Sequence, residues 1–220
     1  MIFSFLPWQT FPRVYPIVDA ASLAARALDP VRVTQAMLDG GARILQFRFK
    51  GQVTAPLLDQ AIRMGELCRS AGCSFIINDR ADVALLAQAG LHLGQDDLPP
   101  DAARRLMQHG VLVGLSTHNA SQIHVAEIEP VDYVAFGPIF PTQSKHQPDP
   151  TTGLERLAEI RKLTKRPLVA IGGITRANAP SVWAAGADSV AVIADLLPEP
   201  CTLDGVRQRM HEWLQLAQQA

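Results

Sequence analysis

Eight short runs rich in strand-forming residues recur along this chain, each followed by a longer segment of amphipathic character. They read near Val14–Val18, Arg43–Phe49, Cys73–Ile77, Leu91–Leu93, Val111–Leu115, Asp132–Phe136, Leu168–Ile171 and Ser189–Ile193. Between them, Val53 to Ala71 sets Leu57, Leu58, Ala61, Ile62, Met64 and Leu67 at helical intervals, and Gly72 follows where such a helix would end. Thr175 to Ala185, closed by Gly186, and Thr202 to Ala220 read as further helices. Repeated strand–helix units imply parallel strands joined by right-handed crossovers. Eight units without a compositional break predict an α/β chain folded as a single (β/α)8 TIM barrel across residues 1–220. The alternative, an open doubly wound sheet, normally carries a GxGxxG turn after its first strand. Here that run ends in Val18-Asp19-Ala20. Residues 1–12 read as an added N-terminal arm, whose Phe3, Phe5, Leu6, Trp8 and Phe11 suit either the bottom of a barrel or a partner subunit in a homo-oligomer.

Composition narrows the classes. Of 220 residues, 48% are hydrophobic, enough for a sizeable core, and 20 basic residues balance 21 acidic ones. That balance argues against a general nucleic-acid-binding surface. Cys68, Cys73 and Cys201 are odd in number and lack CxxC spacing, which predicts reduced, buried thiols rather than a disulfide framework or structural zinc site. The apolar start is broken by Pro7 and Pro12 and makes a poor signal peptide. No apolar run is long enough to span a bilayer, so a cytoplasmic location without membrane partners is expected.

In a barrel of this type, chemistry belongs at the C-terminal ends of the strands. Polar residues fall there repeatedly. After strand two come Gln46, Arg48 and Lys50, which alternation places on one face. Arg48 as a planar fork and Lys50 as a point charge could grip a diphosphate, although solvated charges at a strand end fit the same pattern. Strand three breaks into Asn78, Asp79 and Arg80, and strand four runs into Gly94, Gln95, Asp96 and Asp97. Asp79 and Asp97 at adjacent strand tops suit Mg2+, which takes one or two carboxylates plus phosphates and water. Each could equally cap the helix that follows. Strand five ends in Ser116, Thr117, His118 and Asn119. Ser116 is placed to bond a substrate, and Asn119 to cap a helix. His118 and His92 are acid–base candidates, either of which could equally be structural, and the structural reading is preferred for His92 because Leu91 and Leu93 flank it.

Strand six opens into Gly137-Pro138 and then Thr142, Ser144 and Lys145, two hydroxyls and an ammonium suited to phosphate oxygens. Strand seven ends in Gly172 and Gly173, where backbone N–H groups can approach a phosphate and a following helix N-terminus adds its dipole. Strand eight ends at Ile193 and Ala194. A phosphate site made by loops seven and eight recurs in barrels. One basic, metal-suited grip and one neutral backbone cradle imply two phosphorylated small-molecule substrates.

The ordered segments YPIVD (15–19), QFRFK (46–50), FIINDRAD (75–82), GLHLGQDDLP (90–99), VGLSTHN (113–119), DYVAFGPIFPTQSK (132–145), AIGGIT (170–175) and VAVIADL (190–196) resemble the thiamine-phosphate synthase family. The resemblance covers almost the whole chain after the arm. It implies a transferase that joins a hydroxymethylpyrimidine diphosphate to a thiazole phosphate, with Mg2+ as cofactor. It also implies that Gln46, Arg48, Lys50, Asn78, Ser116 and Lys145 bind the pyrimidine diphosphate. Arg48, Lys50, Ser116 and Lys145 are then the catalytic set, and Asp79 and Asp97 the metal ligands. Thr142, Gln143 and Ser144 would contact the thiazole phosphate, with Gly172, Gly173, Ile193 and Ala194 as its backbone cradle. The implied chemistry is dissociative and needs no protein nucleophile.

Four departures accompany the resemblance. The second hydroxyl of the family's TxTK motif is Ser144 here, which keeps the donor. Phe49 replaces a usual Glu on the opposite face of strand two, so a packing change is expected. Ala194 stands where the family often has Ser. Pro148 and Pro150 make the loop after Lys145 unusual. Two competing readings are a related thiazole tautomerase, for which His118 would be the acid–base group, and a non-catalytic phosphate-binding barrel.

Overall fold

A computed structural model describes residues 10–107, 110–142 and 150–219. Eight parallel strands close into a barrel in sequential order: β1 (Val14–Asp19), β2 (Ile44–Arg48), β3 (Ser74–Asn78), β4 (Gly90–Leu93), β5 (Val113–Thr117), β6 (Tyr133–Phe136), β7 (Leu168–Ala170) and β8 (Ser189–Val192). β1 pairs with both β2 and β8, which removes every sheet edge. The (β/α)8 expectation holds.

Side-chain alternation divides the core in two. Outward-facing residues such as Val18, Phe47, Ile77, Leu91, Val113, Val134 and Val190 join the helices in the larger apolar cluster. Inward-facing Tyr15, Ile44, Ile76, Tyr133, Ala135, Val169 and Ala191 form a smaller one inside the barrel. Phe49 belongs to the outer cluster and lies 5.4 Å from the Phe47 ring, as the packing expectation required. Phe11 joins the inner cluster, its ring 5.2 Å from Tyr133 and 6.4 Å from Tyr15. Phe3, Phe5, Leu6 and Trp8 lie outside the described residues.

The helices follow local signals. α1 (Ala20–Ala24) and α2 (Pro30–Asp39) begin after Asp19 and Asp29, whose carboxylates accept from Ser22 N and Arg32 N. α3 (Ala55–Ser70) starts after Thr54 with Pro in its first turn, and buries Ala61, Met64, Gly65 and Cys68 at 3–4-residue spacing. α4 (Ala81–Leu86), α5 (Pro100–Leu106), α6 (Ala120–Ile128) and α7 (Gly153–Arg161) cover the following strands. Asn119 caps α6 by accepting from Gln122 N, as expected. α9 (Leu203–Gln219) packs against α2 and closes the ring.

Two expectations need correction here. The helix expected from Thr175 begins only at Ala179 and ends at Ala184, as α8. Asn178 intervenes: its Oδ1 accepts from Thr175 N at 2.8 Å and its Nδ2 donates to Gly173 O at 3.1 Å, so residues 175–178 form a turn. The three thiols are not uniformly buried. Cys68 and Cys73 are, whereas Cys201 is partly exposed. A hydrogen bond with Cys73, reinforced by burial, pushes the Cys68 thiol far above its ordinary range and makes it a poor nucleophile.

Among the described residues, no helix is long and apolar enough to cross a membrane.

Candidate active site

The inward positions at the C-terminal ends of β2 to β5 are polar, and they share one cavity of about 410 Å³. Gln46 and Arg48 come from β2, Asn78 from β3, His92 from β4 and Ser116 from β5, all lining it. Tyr15, Ile17, Ala135 and Val169 form its apolar floor and walls. A flat apolar ligand face with polar groups at one end fits such a lining.

Arg48 Nη1 donates to Asp19 Oδ2 at 2.5 Å, and both side chains are largely buried. The other Asp19 oxygen accepts from Ser22 N and from Ser22 Oγ. Asp19 therefore ties the start of α1 to the guanidinium and fixes its direction. In the sequence, Asp19 reads only as the end of a strand. Its partner lies 29 residues away, and nothing local marks the pairing.

Asp79 stands in the left-handed region at φ 63°, a conformation Asp tolerates better than most side chains. Its N–H donates to His92 O at 2.8 Å, and its carboxylate accepts from Lys50 Nζ at 2.5 Å. Asp97 Oδ2 accepts from Gly94 N at 2.7 Å. Neither aspartate caps the next helix, whose N-cap positions are Arg80 and Pro99. Burial pushes the Asp97 carboxyl above its usual range against the pull of the Gly94 bond, and the facing Asp79 carboxylate adds to the rise while Lys50 opposes it. Asp79 and Asp97 do not line the cavity themselves but confront each other next to Asn78, which does, and two carboxylates so placed suit a hard cation such as Mg2+. Among the described residues no third His, Cys, Asp or Glu joins them.

His92 is buried, as a structural histidine would be, yet it also reaches the cavity. Its Nδ1 is 2.9 Å from Tyr133 Oη and its Nε2 2.9 Å from Ser116 Oγ. His118 Nδ1 donates to the Gly137 carbonyl at 2.6 Å, and its ring lines the cavity. Tyr133 reaches the barrel centre because residue 114 is glycine: a Cβ there would lie 2.1 Å from the Tyr133 ring. Gly114→Ala is expected to cost about 1–3 kcal/mol through overpacking. Chemical denaturation would measure this, and an unchanged midpoint would contradict the packing.

On the far side, Gly172 and Gly173 have φ of 92° and 65°. A Cβ on Gly172 would lie 2.4 Å from Pro138 Cβ, and one on Gly173 2.5 Å from Pro141 O. Glycine is needed for the loop after β6 to pack on the loop after β7. Both glycines line the cavity with Thr142, Ile193 and Ala194. A turn of this kind can direct backbone N–H groups at an anion. The dipole expected from a helix beginning at Thr175 does not contribute, because α8 starts later and is short. Instead, Arg176 Nε contacts Asp195 at 3.0 Å and its Nη1 bonds Glu212 of α9, bracing loop seven against the 3-10 turn Ala194–Leu196. Gln143, Ser144 and Lys145, with Pro148 of the same loop, lie outside the described residues. Pro150 is described and exposed.

A family model described as thiamine monophosphate synthase matches residues 14–196. A thiamine-phosphate synthase of Koribacter versatilis is 47% identical over 213 residues, covering 93% of this chain and 95% of its own length. One from Methanocella arvoryzae is 43% identical over 187 residues, covering 84% of this chain and 87% of its own. The solved thiamine phosphate pyrophosphorylase of Pyrococcus furiosus superposes with a TM-score of 0.80 at 30% identity, over 94% of this chain and 96% of that one.

Proposed function

Because this chain belongs to the thiamine monophosphate synthase family, we propose that it joins a hydroxymethylpyrimidine diphosphate to a thiazole phosphate, forming thiamine phosphate and releasing diphosphate. The observation that carries this reading is the convergence of Gln46, Arg48, Asn78 and Ser116 at one barrel mouth, beside the Asp79–Asp97 pair and Lys50.

The pyrimidine lies against the apolar wall, with its diphosphate toward Arg48, Asn78 and Ser116. Arg48 offers a guanidinium already oriented by Asp19, so little order is lost when the leaving group gathers charge. Lys50 is the most exposed of the set and can swing between Asp79 and a phosphate oxygen. Asp79 and Asp97 would hold Mg2+, which when bound supplies positive charge to the departing diphosphate. Lys145 is assigned to the same diphosphate by family resemblance. The carbon–oxygen bond to diphosphate breaks first, leaving a pyrimidine methylene cation stabilised by the ring amino group. The thiazole nitrogen then attacks that carbon. Thr142, Gln143 and Ser144 hold the thiazole phosphate, with the backbone of Gly172, Gly173, Ile193 and Ala194 beneath it. Ala194 can contribute an N–H at this position without the hydroxyl its relatives often carry.

Formation of thiamine phosphate from the two substrates with Mg2+, abolished by EDTA, is the expected result. Thiazole tautomerisation without coupling would replace this reading with one centred on His118. Lys145→Ala is expected to lower the coupling rate about a hundredfold or more with an unchanged melting temperature. A wild-type rate would remove Lys145 from the diphosphate site.

A further inference from the structure

Four buried side chains and the half-buried Ser116, from five strands, form one hydrogen-bonded chain across the barrel, and both of its ends face the cavity. Gln46 Nε2 is 3.1 Å from Tyr15 Oη, which is 2.8 Å from Tyr133 Oη. Tyr133 Oη is 2.9 Å from His92 Nδ1, and His92 Nε2 is 2.9 Å from Ser116 Oγ. Phe11 packs against the two tyrosines of the chain.

Each middle link has one proton to give. A tyrosine hydroxyl donates once, and a neutral imidazole donates from one nitrogen and accepts at the other. Burial raises the pKa of both Tyr15 and Tyr133 above the ordinary tyrosine range, so both keep their protons throughout the working pH range. The chain then has a single sense at a time. If Ser116 donates outward, its oxygen accepts from His92 Nε2–H. His92 Nδ1 then accepts from Tyr133, Tyr133 accepts from Tyr15, and Tyr15 accepts from Gln46 Nε2. Gln46 Oε1 is left to accept from the ligand. Reversal would make Ser116 spend its proton on His92 and turn the Gln46 amide nitrogen toward the cavity.

We propose that Tyr15, Tyr133 and His92 are positioning residues that couple the hydrogen-bonding sense of Gln46 to that of Ser116. This inference rests on the functional reading above, in which Ser116 meets the diphosphate. A diphosphate offers only acceptors, so Ser116 must donate to it. The relay then presents Gln46 Oε1 as an acceptor, which matches a ring bearing an amino group and opposes one bearing an oxo group. Recognition of the leaving group at one end thereby sets which pyrimidine is accepted at the other. Linked bonds in a dry interior also polarise one another, which strengthens the preference.

The first test reads the His92 tautomer by nitrogen NMR in the wild-type protein saturated with inorganic diphosphate, its signals assigned by their loss in His92→Gln. A neutral ring protonated on Nε2 is expected. Protonation on Nδ1, or a doubly protonated ring at neutral pH, overturns the relay. The second test compares kcat/KM for the aminopyrimidine diphosphate and its oxo analogue in wild type and in Tyr133→Phe. Taking the ratio between proteins cancels the intrinsic reactivity of the two rings. The wild-type preference for the amino substrate is expected to be about a thousandfold or more, and to narrow at least about tenfold in the variant. An unchanged preference overturns the relay. Wild-type coupling with the wrong tautomer removes the relay alone, whereas absence of coupling in the wild type removes the functional reading and the relay with it.

Discussion

Arg48→Ala is expected to lose both function and stability: a coupling rate lower by about a hundredfold or more, and unfolding easier by about 3–5 kcal/mol. The two losses have different origins. Activity falls because the diphosphate loses a guanidinium positioned by a 2.5 Å bond to Asp19. Stability falls because Asp19 remains buried with its charge unmatched, and a lone buried carboxylate costs more than the pair contributes. A second variant separates the effects. In Asp19→Asn combined with Arg48→Gln the buried charge is gone, while the amide at position 19 still offers an oxygen to Ser22. That protein should recover most of the stability and none of the rate. Denaturant unfolding and steady-state coupling assays, run on the same preparations, would check both. Stability that stayed low in the double variant would mean that the guanidinium's packing, not charge pairing, dominates. Rate recovery would remove Arg48 from the diphosphate site.

The sequence exposes the barrel and the polar rim unequally well. Parallel strands buried on both faces read as dense runs of Val, Ile, Leu and Phe, so all eight can be found within a residue or two. Position along a strand also tells which polar residues point inward: Gln46 and Arg48 share a face because alternation requires it. Partnership cannot be read in the same way. Tyr15 meets Tyr133 across 118 residues, and Asp19 meets Arg48 across 29. A tyrosine inside a hydrophobic run looks like core until a second hydroxyl is placed opposite it. The ambiguity over Asp79 and Asp97 has the same source. An aspartate shortly before a helix reads as a cap, and only the left-handed backbone at Asp79 and the Gly94 turn at Asp97 redirect both carboxylates toward each other. The start of α8 differs from the sequence expectation because Asn178 bonds back to Thr175 and Gly173, competing with the helix its neighbours would otherwise extend.

Asp97→Asn is expected to make the protein more stable and nearly inactive. The Asp97 carboxyl is raised above its usual range by burial, with Asp79 adding to the rise. A raised value means the folded protein holds that proton more tightly than the unfolded chain does. The associated stability is therefore present below the unfolded value of about 3.9 and is lost as pH rises through the folded value. At neutral pH the metal-free pair carries a penalty that the amide removes, so the melting temperature of Asp97→Asn should exceed wild type near pH 7.5 and converge with it near pH 3.5. Mg2+ should relieve the same penalty in wild type. At a concentration about a hundredfold above its dissociation constant, binding contributes about 2.7 kcal/mol. For a chain of this size that corresponds to a rise of about 5–10 °C. The rise should fade as pH falls through the raised Asp97 value, where that carboxyl takes up its proton, and should be largely absent in Asp97→Asn and Asp79→Asn. Coupling in both variants should fall about a hundredfold or more. A full Mg2+ shift in Asp97→Asn would show that the ion sits elsewhere. A variant both more stable and fully active would separate the carboxylate pair from catalysis altogether. The expected pattern instead makes the pair a strained arrangement kept for function, since replacing one oxygen by an amide nitrogen relaxes the fold and removes the charge on which cation binding depends.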